Sequence, residues 1–331
     1  MGSAISFPAR DNGHEVRLVG TMLDREIVNE VKNRRLHPTL KRALPEGVQY
    51  YQYEELGVAL RGVDLVISGV SSFGVDWFAD EILPILPENV PLLSVTKGLV
   101  NAPNGTLITY PELYELKAPR RDYCAIGGPC TSYELADRAQ THVCFCGMDI
   151  SILRRLLEIM HTEYYHISLS TDVIGVEFAV ALKNAYALAV TLAVGMAKRE
   201  GLSSQYNSQA ALFGQSIAEM RKLLALFGGG AESIVYGAGD LYVTVFGGRT
   251  RFLGTLLGEG IHFAEATKQL SEVTLESVVI ASRVAVAVRE KIKQGAAFRS
   301  DYPLLLHINE IISANTEVDV PWDEFQVEMF E

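Results

Sequence analysis

The sequence is poor in the residue types that build several protein classes. Its 331 residues include four cysteines, all between Cys124 and Cys146. So few thiols, in one short stretch of a long chain, do not make a secreted disulfide framework. Cations are the minority charge: Lys and Arg total 29 against 40 Asp and Glu, for a net charge of -11. An acidic chain lacks the electrostatic footprint for nucleic acid or anionic lipid, so any positive charge that meets a phosphorylated ligand must be local. With that charge, Trp77 and the tyrosines read as packing rather than as a nucleic-acid stacking platform. No basic, then apolar, then small-residue succession opens the chain, so no signal-peptide pattern is seen and the cytoplasm is the expected compartment. One apolar run, Phe178 to Ala197, approaches the length of a membrane span. It carries Lys183 and Asn184 inside it and Glu177 just before it. That fits the central helix of a helical domain better than a bilayer span.

What is present is a two-part pattern, in a chain long enough for two domains and a sizeable core. Strand and helix signals alternate through the first half. Residues 2–11 look helical, His14 to Gly20 alternates as a strand, and Leu23 to Asn33 has helical spacing. Val48 to Tyr53, Val63 to Val70 and Val90 to Val95 read as strands, with a helix from Asp76 to Leu86. Tyr123 to Gly127, His142 to Cys146 and Tyr164 to Leu169 are three more strands. This alternation predicts an α/β domain with a doubly wound parallel sheet over residues 1–170. From about Thr171 the pattern is helical, at roughly 173–200, 208–227, 249–259, 274–293 and 303–313. An all-α domain is therefore expected over 171–331.

A Rossmann-type dinucleotide fold also needs a strand before its first helix and a glycine-rich turn between the two. The sequence begins inside the helix, and of such a turn only Gly2 is present. The expectation is a cofactor domain whose first strand is missing, leaving the strands on either side without a shared partner.

Four segments carry chemistry, each with a bland alternative. Lys183, in Val180-Ala-Leu-Lys-Asn-Ala-Tyr186, is a lysine in an apolar helix. It either snorkels to water or is a proton donor with a depressed pKa. Lys97 follows strand Val90 to Val95 in Ser94-Val-Thr-Lys-Gly-Leu99, at the carboxyl end where open α/β sheets bind ligands. It is otherwise a solvated loop lysine. Gly237-Ala-Gly-Asp-Leu-Tyr-Val-Thr244 reads as a tight turn presenting Asp240 and Thr244, or as a helix-capping loop. Gly247-Gly-Arg-Thr-Arg251 opens a helix, whose backbone N–H groups beside a guanidinium suit a phosphate. Ile126-Gly-Gly-Pro-Cys-Thr-Ser132 is the fourth, or else an ordinary strand-to-helix turn. His142, Cys144 and Cys146 share one face of a strand. That gives poor tetrahedral closure for a metal, so burial is the better account and no metal is expected.

Taken together and in this order, the segments resemble the NAD(P)-dependent glycerol-3-phosphate dehydrogenases of the bacterial and archaeal type, from Gly2 to about residue 315. Gly2-Ser-Ala, Gly13-His-Glu-Val-Arg-Leu, Thr96-Lys-Gly-Leu and Gly128-Pro with Glu134-Leu-Ala carry the resemblance in the first half. Thr171-Asp-Val-Ile-Gly-Val-Glu, Ala181-Leu-Lys-Asn184, Gly239-Asp-Leu and Gly248-Arg-Thr-Arg carry it in the second. It implies that Lys183 is the general acid/base and Asn184 its neighbour at the substrate. Lys97 matches the second active-site lysine. Asp240 and Thr244 match the residues that hold the reacting oxygen and the lysine, and Arg249 the phosphate arginine. Glu276 looks like the acid near the cofactor ribose. Gly2, Ser72, Phe73, Lys97, Ser132, Arg249 and Glu276 are the expected cofactor-binding residues.

Two departures from the family pattern lie at the site. Thr250 stands where Asn is usual, so weaker or re-angled phosphate binding is expected. Val70 is followed by Ser71-Ser72-Phe73 rather than Pro.

The activity implied is hydride transfer between NAD or NADP and the carbonyl of dihydroxyacetone phosphate, forming sn-glycerol 3-phosphate for phospholipid synthesis. Lys183 would give the proton, with its pKa lowered by Lys97 and the site's charge balanced by Asp240. The tip of the second strand, Val19-Gly20-Thr21, shows no acid for a ribose 2′-hydroxyl, and Arg25 could meet a 2′-phosphate. The alternatives are another two-domain hydroxy-acid or sugar-phosphate dehydrogenase, or a cofactor-free, non-catalytic relative. The apolar helical half suggests a homodimer.

Overall fold

The computed structural model describes residues 1–34, 36–102, 106–119, 122–270 and 275–325. Its strands are β1 (Arg17–Val19), β2 (Leu36–His37), β3 (Arg42–Ala43), β4 (Gln49–Tyr51), β5 (Val66–Ser68), β6 (Leu92–Ser94), β7 (Leu99–Asn101), β8 (Leu107–Thr109), β9 (Tyr123–Gly127), β10 (Thr141–Gly147) and β11 (Tyr165–Ser170). Its helices in the first half are α1 (Ser6–Asp11), α2 (Arg25–Arg34), α3 (Leu56–Ala59), α4 (Val75–Trp77), α5 (Tyr110–Lys117), α6 (Ser132–Ala136) and α7 (Ile150–Met160). Those of the second half are α8 (Val173–Arg199), α9 (Tyr206–Leu226), α10 (Ile234–Val245), α11 (Gly248–Gly258), α12 (Phe263–Gln269), α13 (Glu276–Lys293) and α14 (Pro303–Ala314). The chain divides into two compact units, Met1–Lys97 with Tyr110–Val173, and Gly98–Thr109 with the residues from Ile174 onward.

The first unit is built on a five-stranded sheet in the order β11-β10-β9-β6-β5. Its inner strands β6, β9 and β10 are buried on both faces, as in β9, where all five residues are buried. That is why they read as apolar runs rather than as alternation. The sheet is α/β as expected but not wholly parallel. β5, β6 and β9 run together, as do β10 and β11, while β10 is antiparallel to β9. β1 pairs in parallel with β4 in a separate two-stranded sheet, and β5 is an edge of the five. Leu93, Ile126, Val143, Phe145, Leu153, Leu156 and Tyr165 form the core. α7 supplies three buried residues, Leu153, Leu156 and Met160, and starts at Asp149, whose carboxylate accepts from the Ser151 N–H at 2.7 Å. This is an N-cap that satisfies one orphan donor of the first turn.

The expected helix from Asp76 to Leu86 is broken into α4, a π turn over Phe78–Ile82 and a 3-10 turn over Leu83–Ile85. Pro84 sits in the last of these. It has no N–H to continue an α ladder, so the tighter turn ends the segment.

The second unit is a helical assembly around α8. Apolar residues lie on every side of α8, and such a helix must be surrounded. Phe178, Leu182, Ala185, Leu188 and Leu192 are buried among Leu212, Leu223, Leu241, Leu253, Ile280 and Leu305 from the other helices. Among the described residues α8 is the one helix long and apolar enough to cross a membrane, and 89% of its most apolar window is buried in the protein. The unit is not helices alone. The antiparallel pair β7–β8 belongs to it, with Arg283 of α13 donating to the Leu99 carbonyl at 2.6 Å.

One expectation is overturned here. Residues 237–244 are not a tight turn but the body of α10. The glycines are there for packing. A Cβ on Gly237 would lie 2.6 Å from the Ala179 carbonyl oxygen, so only glycine lets α10 approach α8 this closely.

Candidate active site

α8 and α10 place a lysine and an aspartate against each other inside the helical unit. Lys183 Nζ lies 2.5 Å from Asp240 Oδ1, with side-chain exposures of 15% and 3%. An ion taken out of water is costly unless paired and hydrogen-bonded, and this pair meets that condition. Because Gly237 brings the helices together three residues earlier on α10, the same close approach that packs the core also sets the lysine–aspartate distance. The snorkelling alternative for Lys183 is thereby set aside: its ammonium is held by a buried carboxylate. Thr244, one turn after Asp240 on α10, donates its hydroxyl to the Asp240 carbonyl at 2.7 Å. In this state it therefore braces α10 rather than the lysine.

Next to this pair is an open pocket of about 190 Å³, lined by Asn184, Thr244, Gly247, Gly248, Arg249, Thr250 and Glu276. Five residues singled out from the sequence thus line one cavity. Asn184, buried and next in sequence to Lys183, and Thr244, bonded to the Asp240 carbonyl, both line the pocket and so connect it to the two helices that carry the ion pair. The turn between α10 and α11 forms part of its wall. Gly248 has φ +78°, in the left-handed region where a Cβ is strained, and Gly247 caps α11 without a side chain. The first N–H groups of α11 have no intrahelical acceptor, and the helix dipole places partial positive charge there. With Arg249 exposed beside them, this wall has the chemistry that suits an anion. Glu276 opens α13 and shares the pocket with Arg249, within the helical unit.

The other expected residues gather at the carboxyl ends of β5, β6 and β9 in the sheet unit. Lys97 Nζ donates to the Gly128 carbonyl at 2.7 Å, across from β6 to the loop after β9. It is therefore an anchored lysine, not a solvated one. Thr96 Oγ1 donates to the Val70 carbonyl at 2.6 Å. This tie was not anticipated from the sequence, although a threonine beside the lysine at a strand end is its signal. Ser72 and Phe73 lie in a 3-10 turn over Ser72–Gly74, closed by the Gly74 N–H to the Ser71 carbonyl at 2.8 Å, and Phe73 is 59% exposed. Ser132 is the first residue of α6. Gly2 lies against Gly69, just past β5: a Cβ on Gly69 would come 2.4 Å from the Gly2 Cα. A floor of bare backbone at the carboxyl ends of parallel strands admits a flat, extended ligand, and so fits a dinucleotide.

At the tip of β1 the structure corrects a second expectation. Asp24 folds back so that its Oδ2 accepts from the Thr21 N–H at 2.9 Å and from the Thr21 hydroxyl at 2.5 Å. A carboxylate therefore does stand at this tip. The Thr-x-x-Asp spacing was its signal, a capping-box-like pattern in which the acid reaches back to the threonine N–H at the entry to α2. Arg25, a candidate for a 2′-phosphate, is ion-paired with Glu54. On β10, Cys144 and Cys146 are fully buried and His142 Nε2 is 2.8 Å from Ser168 Oγ. Burial pushes the Cys124 thiol up to about 12, which removes thiolate chemistry at neutral pH.

Residues 1–152 match the family described as NAD-dependent glycerol-3-phosphate dehydrogenase N-terminus, and residues 172–322 match its C-terminus. The NADP(+)-dependent glycerol-3-phosphate dehydrogenase of Archaeoglobus fulgidus is 37% identical over 273 residues, 82% of this chain and 81% of that one. The glycerol-3-phosphate dehydrogenase [NAD(P)+] of Myxococcus xanthus is 30% identical over 279 residues, 82% of this chain and 80% of its own. Among solved structures, the glycerol-3-phosphate dehydrogenase of Coxiella burnetii has the same fold. It superposes with a TM-score of 0.78 at 24% identity, covering 97% of this chain and 93% of that one.

Proposed function

Because the chain belongs to the NAD-dependent glycerol-3-phosphate dehydrogenase family, we propose that it interconverts dihydroxyacetone phosphate and sn-glycerol 3-phosphate through the lysine–aspartate pair and anion pocket of its helical unit. It is an oxidoreductase that uses NAD or NADP. The observation that carries the assignment is the adjacency of the Lys183–Asp240 pair to a pocket walled by Arg249, Thr250 and the start of α11. A carbonyl to be reduced and a phosphate to be gripped on one small molecule need those two features side by side.

The bound cofactor supplies or accepts the hydride. The protein's own residues do the rest. Lys183, as an ammonium, gives its proton to the oxygen that becomes the hydroxyl, and Asp240 fixes where that ammonium points. Asn184 offers an amide to the same end of the substrate. Arg249 and the Thr250 hydroxyl hold the phosphate with the first N–H groups of α11. Thr244 keeps the Asp240 turn of α10 in register. Lys97 serves as the second lysine. The cofactor residues we assign are Gly2, Ser72, Phe73, Lys97 and Ser132 in the sheet unit and Arg249 and Glu276 in the helical unit. The cytoplasm is the compartment we assign. The assembly we assign is a homodimer, supported by aromatic side chains left exposed along α10, just past its end and on α11, including the edge-stacked Tyr242–Phe246 pair and Phe252. Light scattering on the purified chain tests that assembly.

The activity test follows absorbance of NADH and NADPH with dihydroxyacetone phosphate, and with phosphate-free dihydroxyacetone as the control. Oxidation that needs the phosphate supports the assignment. Equal rates on the phosphate-free ketone, or no oxidation with either cofactor, would overturn it.

A further inference from the structure

Arg251 lies two residues beyond the proposed phosphate arginine, yet it is not among the residues that line the pocket. Its guanidinium turns the other way. Arg251 Nη1 donates to the Val245 carbonyl at 2.7 Å. Val245 is the last residue of α10, and its carbonyl has no intrahelical donor. Resting on the phosphate-ester function proposed above, we propose that Arg251 is a positioning residue that ties the end of α10 to the first turn of α11 and so shapes the anion site without touching the anion.

Two physical arguments support this. The first is geometric. The helices are joined through Phe246 and Gly247, and Gly248, the first residue of α11, has φ +78°. Two consecutive glycines have the largest conformational freedom to lose, so a turn made of them needs an external constraint to hold one shape. The Arg251 to Val245 bond closes the turn from one side to the other and fixes where Arg249 and Thr250 stand between its ends. The second is electrostatic. The pocket-lining turn joins the negative end of α10 to the positive end of α11. An anion beside it would be repelled by the one while attracted by the other. A guanidinium on the terminal carbonyl of α10 offsets the repulsive end and leaves the attractive one. Asp240 and Thr244, which sit on α10 itself, are held in register with α11 by the same bond.

The test titrates glycerol 3-phosphate into the full chain by calorimetry, with and without NADH, for the wild type, Arg251→Met, Arg251→Lys, Arg249→Gln and the double variant Arg249→Gln/Arg251→Met. A hydrogen bond from a charged donor is worth enough that Arg251→Met is expected to weaken binding roughly 10-fold. Arg251→Lys, which keeps the charge and a donor, is expected to recover most of that. In the Arg249→Gln background the further effect of Arg251→Met should shrink to about 2-fold or less, because two residues acting through one contact are not additive. In turnover assays KM for dihydroxyacetone phosphate should rise while kcat holds, and the rate on dihydroxyacetone should not change. Full additivity in the cycle would make Arg251 a direct anion ligand and overturn the positioning role. Undiminished binding in Arg251→Met would overturn it as well, with the dehydrogenase function intact. Failure of the wild type to bind glycerol 3-phosphate at all would overturn both. If Arg251→Met does not fold, Arg251→Gln takes its place in the cycle: weakened binding whose effect shrinks in the Arg249→Gln background supports the role, and undiminished binding overturns it.

Discussion

The two units place polar chemistry in different ways. In the sheet unit the functional candidates sit at strand ends and in turns, and they are held largely by backbone: Lys97 on the Gly128 carbonyl, Thr96 on the Val70 carbonyl, Gly2 against Gly69. In the helical unit Lys183 and Asp240 sit on helices whose other faces are core, so their charges must be paired where they stand. Lys183 has Asp240. Glu219, fully buried on α9, receives Tyr186 and Gln215 side chains and the Leu304 and Leu305 N–H groups at 2.8–3.0 Å. The first strategy leaves a ligand floor open with little desolvation. The second desolvates charge and obtains rigid placement in return.

Breaking the helical strategy should have the largest effect. Lys183→Ala removes the proposed proton donor, and kcat is expected to fall about 10²–10⁴-fold, measured as NADH or NADPH oxidation, with cofactor affinity nearly unchanged. A parallel loss of both would take the acid role away from Lys183. Arg249→Gln should raise KM for dihydroxyacetone phosphate roughly 10- to 100-fold, as expected for losing a charge-assisted contact. Gly237→Ala forces a methyl group to within 2.6 Å of the Ala179 oxygen, so the helices must part. We expect about 1–3 kcal/mol of lost stability in denaturant melts, and a lower kcat as the lysine–aspartate distance opens.

Glu219 makes the cost of buried charge measurable. Burial raises its carboxyl from 4.5 to about 7, against the pull of its four donors. A raised folded-state pKa means that the group contributes stability fully below pH 4.5 and loses it as pH rises to about 7. In Glu219→Gln that segment of the stability–pH curve should flatten, by an amount on the order of 3 kcal/mol across the window. An unchanged slope would show the carboxyl titrating normally. The smallest effect belongs to the sheet unit. Phe73 is 59% exposed, so Phe73→Ala should change stability within about 0.5 kcal/mol and act, if at all, on KM for the cofactor.

How much was legible differs between the units for the same reason. The β9 run Tyr123–Gly127 was found at its true bounds because a strand buried on both faces is a contiguous apolar run. The helix expected at 173–200 is α8 to within a residue, because its length leaves no other element possible. The reversal of β10 against β9 was not legible, since strand direction is set by where the returning chain finds a partner. The Gly237–Thr244 segment was misread because glycines usually mark turns, and here they mark a helix contact whose partner is about sixty residues away in sequence. Asp24 was missed at the β1 tip because the side chain returns from three residues further on.

By itself the sequence determined the two-part build, the acidic surface, the burial of α8 and the identity of the residues that carry charge into the core. Those follow from local periodicity and from the cost of placing particular side chains in or out of water. Only the tertiary structure decided which of those residues meet. The Lys183–Asp240 distance and the shared pocket of Asn184, Arg249 and Glu276 depend on how closely helices distant in sequence can pack. Close packing is a property of pairs of surfaces, and no single stretch of chain specifies it.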